Sequence, residues 1–454
     1  MTSALGAIPA QAAPTSAPVV TRAVPSGDPW VVGMGDSYMS GEGGRWADNG
    51  SGGNENTQTW GLGWAVGTAQ AVYGDDGGKE AIPGCHRTKS APMVVGGGYK
   101  SLNLACSGAI TSSVLTSQWW KPGIDFANDN KGHKGQALML QEFAATHRVE
   151  VVDLSIGGND MGFADIIAAC VQAYVVPLFG GHCSDDLAVT NLINSDAKKA
   201  LITKIGGALD NIVAAMDHNQ YPRGSYRIVY QAPPNIIPMP KDAKYSGFGY
   251  IRENRCGLPI SDPDLAWAIT KVQPTLKDAI VTASSKFSDI PITVLNNDSI
   301  FNGHLLCQKG TSRGADGMGT PDWGKTGKTT EWVRRISVSE AKLSPRKAPY
   351  RSEPMHPMYW GQRALATCTL AAINSPLTTK MITCATPTIA PAAVFPTCKA
   401  LNKVYSHGVA RKSAASFVTI GAHPVKVKFT RSTRLFEANR LLDKNRDGVV
   451  CPKA

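Results

Sequence analysis

Four short segments, far apart in the chain, contain groups that could together catalyse acyl transfer. Ser37, at the end of a Gly-Asp-Ser turn, could act as the nucleophile, and His356 could take the proton from its hydroxyl. The tetrahedral oxyanion formed in acyl transfer needs two or three preorganised hydrogen-bond donors. The backbone N–H groups of Ser37 and Gly108 and the side-chain amide of Asn159 could supply them. Together the segments predict catalysis through a covalent acyl intermediate.

Each segment by itself has an ordinary structural interpretation. A Gly-Asp-Ser sequence usually forms a plain turn, and Asn159 and Asp160 after two glycines usually begin a capped helix. A lone histidine near a proline, such as His356, is more often structural than catalytic. What favours a site is the order of the segments, because three of them end predicted strands and the fourth follows the last strand.

The hydrophobic pattern predicts five buried strands, most of them separated by segments with helical periodicity, such as 136–147 and 198–217. The predicted strands are Trp30–Gly35, Ser101–Ala105, Val149–Ile156, Tyr226–Gln231 and Ile292–Asn296. Strands that alternate with helices imply an α/β fold with a parallel sheet covered on both faces. The carboxyl ends of such strands are where active sites of open sheets lie.

Composition and charge exclude several classes of protein. The chain has 454 residues, of which 43% are hydrophobic and 18% charged, so it is neither disordered, collagen-like nor a coiled coil. The apolar run 166–179 is too short for a membrane span and predicts a buried helix. Residues 395–454 contain 12 Lys plus Arg and 3 Asp plus Glu, a balance of +9 out of a total of +11. Such a basic block often contacts an acidic polymer or surface, although it could serve solubility alone.

The cysteines and the amino terminus predict a secreted or cell-envelope-associated protein. Ten cysteines at wide spacing, without a C-x-x-C pair, favour five disulfides formed in an oxidising compartment. Residues 10–12 read Ala-Gln-Ala, a signal-cleavage pattern. The chain then divides into a signal remnant and flexible leader (1–29), a large α/β domain (30–385), a linker rich in Pro, Ala and Thr (386–394) and a small basic module (395–454).

The four segments resemble the four sequence blocks of the SGNH (GDSL-type) hydrolases. The resemblance covers about 30–375, and the string from Gly35 to Gly43 is similar to secreted actinobacterial esterases and lipases. It implies a flavodoxin-like three-layer sandwich and the disulfides 85–106, 170–183 and 256–307. It also implies that Ser37 is the nucleophile, that His356 is the general base and that Gly108 and Asn159 complete the oxyanion hole. The family uses no catalytic cofactor.

The resemblance leaves the partner of His356 open. The family commonly has an Asp three residues before the histidine, which holds the imidazole in one tautomer, but this chain has Glu353 there. Either the Glu353 carboxylate reaches Nδ1 of His356, or the backbone carbonyl of residue 353 does so and the pair acts as a dyad.

The carboxyl-terminal module resembles the Excalibur domain, a short extracellular calcium-binding module. Its alternating oxygen ligands would be Asp443, Asn445 and Asp447, followed by a turn at Gly448. The module normally has Glu after its last cysteine, but this chain has Pro452. The alternative is a disulfide-tied turn between Cys398 and Cys451 that binds no metal.

These features predict a secreted, monomeric serine esterase or lipase that acts on acyl lipids or O-acylated glycans. The basic module would hold it against an anionic cell-envelope polymer or lipid surface, and no nucleic acid is expected as a partner. Two alternatives remain: an acyltransferase that uses the same acyl-enzyme, and a non-catalytic wall-binding protein on a hydrolase scaffold.

Overall fold

The structure is a computed structural model of the chain. It describes residues 24–50, 57–59, 66–68, 73–74, 79–115, 120–175, 181–247, 250–315, 317, 321–336, 353–388, 393–395, 397–414, 417–420, 423–426 and 428–453. Residues 1–23 of the predicted signal remnant and leader (1–29) lie outside these residues, as do residues 389–392 of the predicted linker.

A six-stranded, fully parallel sheet forms the centre of the protein. Its strands are β1 (Trp30–Gly35), β2 (Lys100–Asn103), β3 (Val149–Ser155), β4 (Arg227–Gln231), β5 (Ile292–Asn296) and β6 (Met381–Thr383). They lie side by side in the order β6-β5-β4-β3-β1-β2. Because the chain starts in the interior of the sheet and is laid outward in both directions, this is a flavodoxin-like, doubly wound order. The predicted α/β fold class is confirmed.

The strands form where the sequence is rich in β-branched and other large apolar residues. All five residues of β4 and all but one of the seven in β3 are buried, as expected for strands covered on both faces. The predicted strand positions agree with the observed ones to within two residues at either end. The sequence interpretation missed β6, because its three residues are largely exposed and carry no apolar pattern.

Helices cover both faces of the sheet. The helices are α1 (Ser37–Ser40), α2 (Gln136–Ala144), α3 (Phe163–Val175), α4 (Leu187–Thr190), α5 (Ser195–His218), α6 (Ile251–Cys256), α7 (Asp262–Trp267), α8 (Gln273–Ser284), α9 (Tyr359–Ile373), α10 (Cys398–Val404) and α11 (Thr433–Ala438). The helix α5 begins at the cap Asn194, whose side chain accepts hydrogen bonds from two backbone N–H groups, and its apolar residues recur every three or four positions. α5 packs against α2 and α8 on one face, whereas α9 lies on the other.

The apolar run 166–179 forms most of α3, which buries Ile166, Cys170 and Tyr174 along one side. Residues 176–180 lie outside the described part of the chain. Within the described ranges, no helix combines the length and the apolar character needed to cross a bilayer.

All ten cysteines are paired, as predicted. The disulfides join Cys85 to Cys106, Cys170 to Cys183, Cys256 to Cys307, Cys368 to Cys384 and Cys398 to Cys451. The first three are the pairs that the family resemblance implies. The last one closes the carboxyl-terminal module.

The carboxyl-terminal module packs closely against the α/β domain. Three consecutive glycines, 96–98, precede β2 and have positive φ angles. A Cβ on Gly96 would lie 2.4 Å from the carbonyl oxygen of Ala438, and one on Gly98 would lie 2.2 Å from Nε of Arg440. At position 96 only glycine therefore permits the approach of the Ala438 backbone. The buried module residues Phe395, Leu401, Leu435 and Phe436 belong to the same hydrophobic cluster as the core of the α/β domain.

Candidate active site

Ser37 lies at the carboxyl edge of the sheet because β1 ends in a glycine. Gly35 has a φ of +133°, and a Cβ there would lie 1.8 Å from the carbonyl oxygen of Ser155 in β3. The chain then turns at Asp36, whose side chain accepts a hydrogen bond from Tyr38 N–H (3.1 Å) and caps α1. The buried Gln136 amide bonds both the N–H (2.7 Å) and the carbonyl (2.9 Å) of Gly35. These contacts place Ser37 at the first position of α1.

The structure brings Ser37 and His356 together, although they are 319 positions apart. The Oγ of Ser37 lies 2.7 Å from Nε2 of His356, and Nδ1 of His356 lies 3.1 Å from the carbonyl oxygen of Pro354. Since a carbonyl only accepts, Nδ1 carries the hydrogen in this contact. In the neutral imidazole Nε2 is then unprotonated and accepts the hydrogen bond from the Ser37 hydroxyl, which is the arrangement a general base requires.

Tyr38 fixes the loop that carries His356. Its hydroxyl donates to the carbonyl of Met355 (2.9 Å), and its ring lies 5.1 Å from the imidazole, centroid to centroid. Met355 has a φ of +67°, an uncommon conformation for a residue with a side chain. Such conformations persist where surrounding contacts determine them, and they concentrate at functional sites.

Glu353 does not contact the imidazole through either predicted route. Its buried carboxylate pairs with the Arg45 guanidinium (Nη2 to Oε2, 2.8 Å, and Nε to Oε1) and accepts from Nε1 of Trp46 (2.9 Å) and from the Tyr73 hydroxyl. Its carbonyl accepts from the backbone N–H of His356 (3.2 Å). The partner of Nδ1 is the carbonyl one residue further along, at Pro354. Both alternatives drawn from the sequence are thereby corrected.

The physical reason lies in the buried charge of Arg45. Arg45 and Glu353 are 1% and 2% exposed, and two charges so deeply buried are tolerated only as a hydrogen-bonded pair. Burial raises the pKa of Glu353, but Arg45 and the other donors outweigh it and hold this pKa below its usual range. The ion pair therefore joins the segment after Ser37 to the loop before His356.

Two of the three proposed oxyanion donors, Gly108 and Asn159, lie in segments that are hydrogen-bonded to each other. Nδ2 of Asn159 donates to the carbonyl of Ala109 (2.9 Å), and Asp160 accepts from the backbone N–H of Thr111 (2.9 Å). Gly108 has a φ of +76°, a left-handed backbone conformation that favours glycine. Among the described residues no acceptor faces the N–H of Ser37 or of Gly108, so both are available to a ligand.

A second buried carboxyl group, that of Asp36, directly precedes the nucleophile. Burial raises the pKa of Asp36 to about 7, while the hydrogen bond from Tyr38 N–H opposes the shift and the nearby Asp160 adds to it. Because Asp36 caps α1 through Tyr38 N–H, its position indicates support of the turn.

The predicted calcium ligands lie on one exposed turn of the module. Oδ2 of Asp443 accepts from Gly448 N–H (3.1 Å), Oδ1 of Asp447 accepts from Val449 N–H (2.9 Å), and Nδ2 of Asn445 donates to Oδ2 of Asp447 (2.8 Å). The other oxygen of Asp443, Oδ1, is buried and has no partner within the described part of the chain.

One further cluster of potential metal ligands exists among the described residues, formed by Cys170, Cys183 and Asp264. Both cysteines are in a disulfide, and Asp264 accepts hydrogen bonds from Ser184 N–H (3.0 Å) and the Ser261 hydroxyl (2.7 Å). A disulfide sulfur is a poor metal ligand because the thiolate is the species that binds. We therefore assign this cluster a structural role.

Sequence reasoning missed Arg45, Glu42 and Tyr38 as parts of the site. The available signal was the occurrence of two charged residues, Glu42 and Arg45, in an otherwise glycine-rich stretch directly after Ser37. Nothing in that pattern identifies their partners, which lie up to 308 positions away.

The protein is thus an α/β protein with a doubly wound sheet and a serine–histidine pair at the carboxyl edge of that sheet. No protein-family model matches the chain, and no curated protein matches it in sequence. Its fold is similar to an extracellular lipase from Streptomyces rimosus (16% identity, TM-score 0.41, covering 77% of this chain and 100% of that one). It is also similar to a phospholipase A1 from Streptomyces albidoflavus NA297 (18%, 0.38, 76% and 99%) and a carbohydrate acetylesterase from Sinorhizobium meliloti (12%, 0.25, 59% and 84%). At such identities and scores, activity must be argued from the site itself.

Proposed function

We propose that this protein is a serine-dependent carboxylic ester hydrolase of the SGNH type. The observation that carries the proposal is the 2.7 Å contact between Oγ of Ser37 and Nε2 of His356, with Nδ1 held by the carbonyl of Pro354. A serine hydroxyl becomes an effective nucleophile when an oriented base can accept its proton. Here the backbone carbonyl of Pro354 takes the orienting role that a carboxylate has in a triad.

The reaction would proceed in two half-reactions. Oγ of Ser37 attacks the ester carbonyl carbon while its proton passes to Nε2 of His356, and the N–H groups of Ser37 and Gly108 with the Asn159 amide stabilise the oxyanion. Collapse of this intermediate breaks the ester C–O bond, and the alcohol leaves with the proton from His356. Water, deprotonated by His356, then attacks the acyl-enzyme, releases the carboxylic acid and regenerates Ser37.

The direct test is turnover of p-nitrophenyl esters of increasing acyl length by the full-length, oxidised protein, together with labelling by a fluorophosphonate. Release of p-nitrophenol and a single label on the peptide that contains Ser37 are expected, and the chain-length profile separates an acetyl esterase from a lipase. A folded, disulfide-intact protein that neither hydrolyses any ester nor reacts with the probe would contradict the proposal. Transfer to an added glycan in preference to water would identify an acyltransferase.

We also propose that the protein is secreted and that its basic module holds it to an anionic polymer or lipid headgroup of the cell envelope. Exposed cations support this: Arg411, Lys412, Lys428, Arg431, Arg434, Arg440, Lys444, Arg446 and Lys453. Replacement of Lys412, Lys444 and Arg446 by alanine should weaken co-sedimentation with purified cell walls and reduce its salt dependence. Substitutions are preferable to deletion because the module buries apolar residues against the α/β domain. Retention unchanged in the triple variant would contradict this role.

The turn at Asp443 fits a calcium ion in one respect: a buried carboxylate oxygen, Oδ1, lacks a hydrogen-bond partner among the described residues. Asp443, Asn445 and Asp447 would hold the ion, which would supply a cross-link between the ends of the turn. Millimolar Ca²⁺ should raise the Tm of the wild type by roughly 2–4 °C, and the variant Asp443→Asn with Asp447→Asn should show no such increase. An equal shift with Mg²⁺, or none in the wild type, would count against a calcium site.

A further inference from the structure

The carboxylate of Glu42 is buried beside the candidate active site, and the proposed mechanism assigns it no role. Glu42 is 0% exposed. Its Oε1 lies 2.9 Å from Nδ1 of His86, and its Oε2 accepts a hydrogen bond from the Ser107 hydroxyl. A buried carboxylate is costly unless it is paired, so we asked what the Glu42 carboxylate does beside Ser107.

The backbone of Glu42 contacts the turn of the nucleophile directly and the loop of His356 through Gln362. Its N–H donates to the carbonyl of Ser37 (3.2 Å), and its own carbonyl accepts from Nε2 of Gln362 (3.1 Å). The same Gln362 nitrogen donates to the carbonyl of Pro357, the residue after His356 (3.0 Å). One residue thus touches the turn of the nucleophile, the loop of the oxyanion donor and, through Gln362, the loop of the base.

The interaction with His86 keeps the Glu42 carboxylate charged and fixed. Burial raises the pKa of Glu42, but His86, His356 and the hydrogen bond from Ser107 together outweigh it, so this pKa lies below its usual range. Burial lowers the pKa of His86, while Glu42 and then Glu80 raise it above its usual value. The ring of Tyr73 stacks on His86 with centroids 4.6 Å apart and limits its movement.

Ser107 transmits this rigidity to the oxyanion donor because it directly precedes Gly108. The loop at 106–109 is also held by the Cys85–Cys106 disulfide and by the bond from Nδ2 of Asn159 to the carbonyl of Ala109 (2.9 Å). Two backbone contacts add to these: Cys106 N–H to the carbonyl of Gly35 (3.0 Å) and Ser107 N–H to the carbonyl of Cys85 (3.1 Å). Gly108 has a positive φ, and among the described residues no hydrogen bond from its own N–H fixes that group. The bond from the Ser107 hydroxyl to Glu42 fixes the residue before Gly108, and the bond from Asn159 fixes the residue after it.

We propose that Glu42 is a positioning residue: its carboxylate, held by His86, fixes the Ser107 hydroxyl and thereby aims the Gly108 N–H at the oxyanion. The expected loss of kcat rests on the proposed esterase function, whereas the expected loosening of the loop around Gly108 does not. Loss of one oxyanion donor costs about 10²–10³ in kcat, so misdirection of one is expected to cost roughly 10- to 100-fold.

The kinetic test compares Glu42→Gln, Ser107→Ala and the double variant. Each single change should lower kcat roughly 10- to 100-fold with little change in KM, and the double variant should be no worse than either single one, because both remove the same contact. The Ki of a boronic acid, whose adduct with Ser37 places an oxygen in the oxyanion hole, should rise in the same proportion. Ser90→Ala is the matched control: Ser90 is equally buried and bonds to Gly44 (3.3 Å), and its removal should leave kcat within about twofold.

Hydrogen–deuterium exchange provides a readout that needs no turnover. The peptide that spans residues 105–109 should exchange faster in Glu42→Gln and Ser107→Ala than in the wild type, while Ser90→Ala leaves it unchanged. Unchanged exchange in both variants would overturn the inference, whatever the esterase assays show. Faster exchange in an enzyme without esterase activity would instead support the positioning role and refute only the proposed function. Kinetic losses that add in the double variant would also overturn it, because the two residues would then act independently.

Discussion

Ser37→Ala is expected to lower kcat for ester hydrolysis by about 10⁴-fold or more, with KM and Tm close to those of the wild type. The hydroxyl is the atom that bonds to the acyl group, and the alanine variant retains only the binding and oxyanion contributions. Its removal leaves the backbone contacts of α1 in place, since these are made by Asp36 and Tyr38. His356→Ala should cause a loss of similar size, and the double variant should be no worse, because the two residues act as one unit.

The matched control for this prediction is Ser40→Ala. Ser40 is in the same four-residue helix and is fully buried, and its hydroxyl donates to the carbonyl of Ser37 (3.2 Å) without touching His356. Steady-state kinetics on p-nitrophenyl butyrate and thermal unfolding would be measured for all four variants. Substantial residual turnover in Ser37→Ala, with the control fully active, would mean that another group performs the attack.

Breaking the Arg45–Glu353 pair is expected to have the largest effect on stability. Arg45→Met or Glu353→Gln should each lower the free energy of unfolding by about 3–5 kcal/mol, because each leaves a buried group without its counter-charge or partner. Combining the two should restore much of the loss, since neither charge of the pair then remains without the other. Both single changes should also lower kcat, because the pair ties the loop of His356 to the segment after Ser37.

Urea unfolding at pH 7 measures these differences, with Glu142→Gln as the control. Glu142 forms an exposed ion pair with Lys134 (2.7 Å), and such pairs contribute about 0–1 kcal/mol.

The loss of stability in acid provides a second readout. The pKa of Glu353 is depressed in the folded protein, so its contribution is present above the ordinary value of 4.5 and is lost as the pH falls below it. Variants without the carboxylate should lose less stability in this acid range, and a parallel pH profile would contradict the assignment.

The carboxyl-terminal module shows how composition and packing carry different information. Its charge of +9 and its bounding cysteines distinguish residues 395–454 as a separate unit in the sequence. The structure shows that Phe395, Leu401 and Phe436 share a hydrophobic cluster with the α/β domain and that Ala438 packs against Gly96. A run of three glycines before a strand has no unique meaning in sequence, because its use depends on which surface approaches it.

Local patterns in the sequence were sufficient to predict five of the six strands and the four candidate segments. Runs of β-branched residues, glycines at the ends of strands and helical periodicity act within a few residues, so they can be read without the fold. The resemblance to SGNH hydrolases then pointed to Ser37, His356, Gly108 and Asn159, and the structure places Ser37 against His356.

The hydrogen-bond partner of Nδ1 of His356 was decided by the tertiary structure alone. Glu353 has the spacing of a triad acid, yet Arg45, 308 positions away, takes its carboxylate, and the left-handed turn at Met355 presents the Pro354 carbonyl to the imidazole. Which of two nearby acceptors meets a histidine depends on buried charges that must be neutralised, and their positions are set only when distant segments pack together.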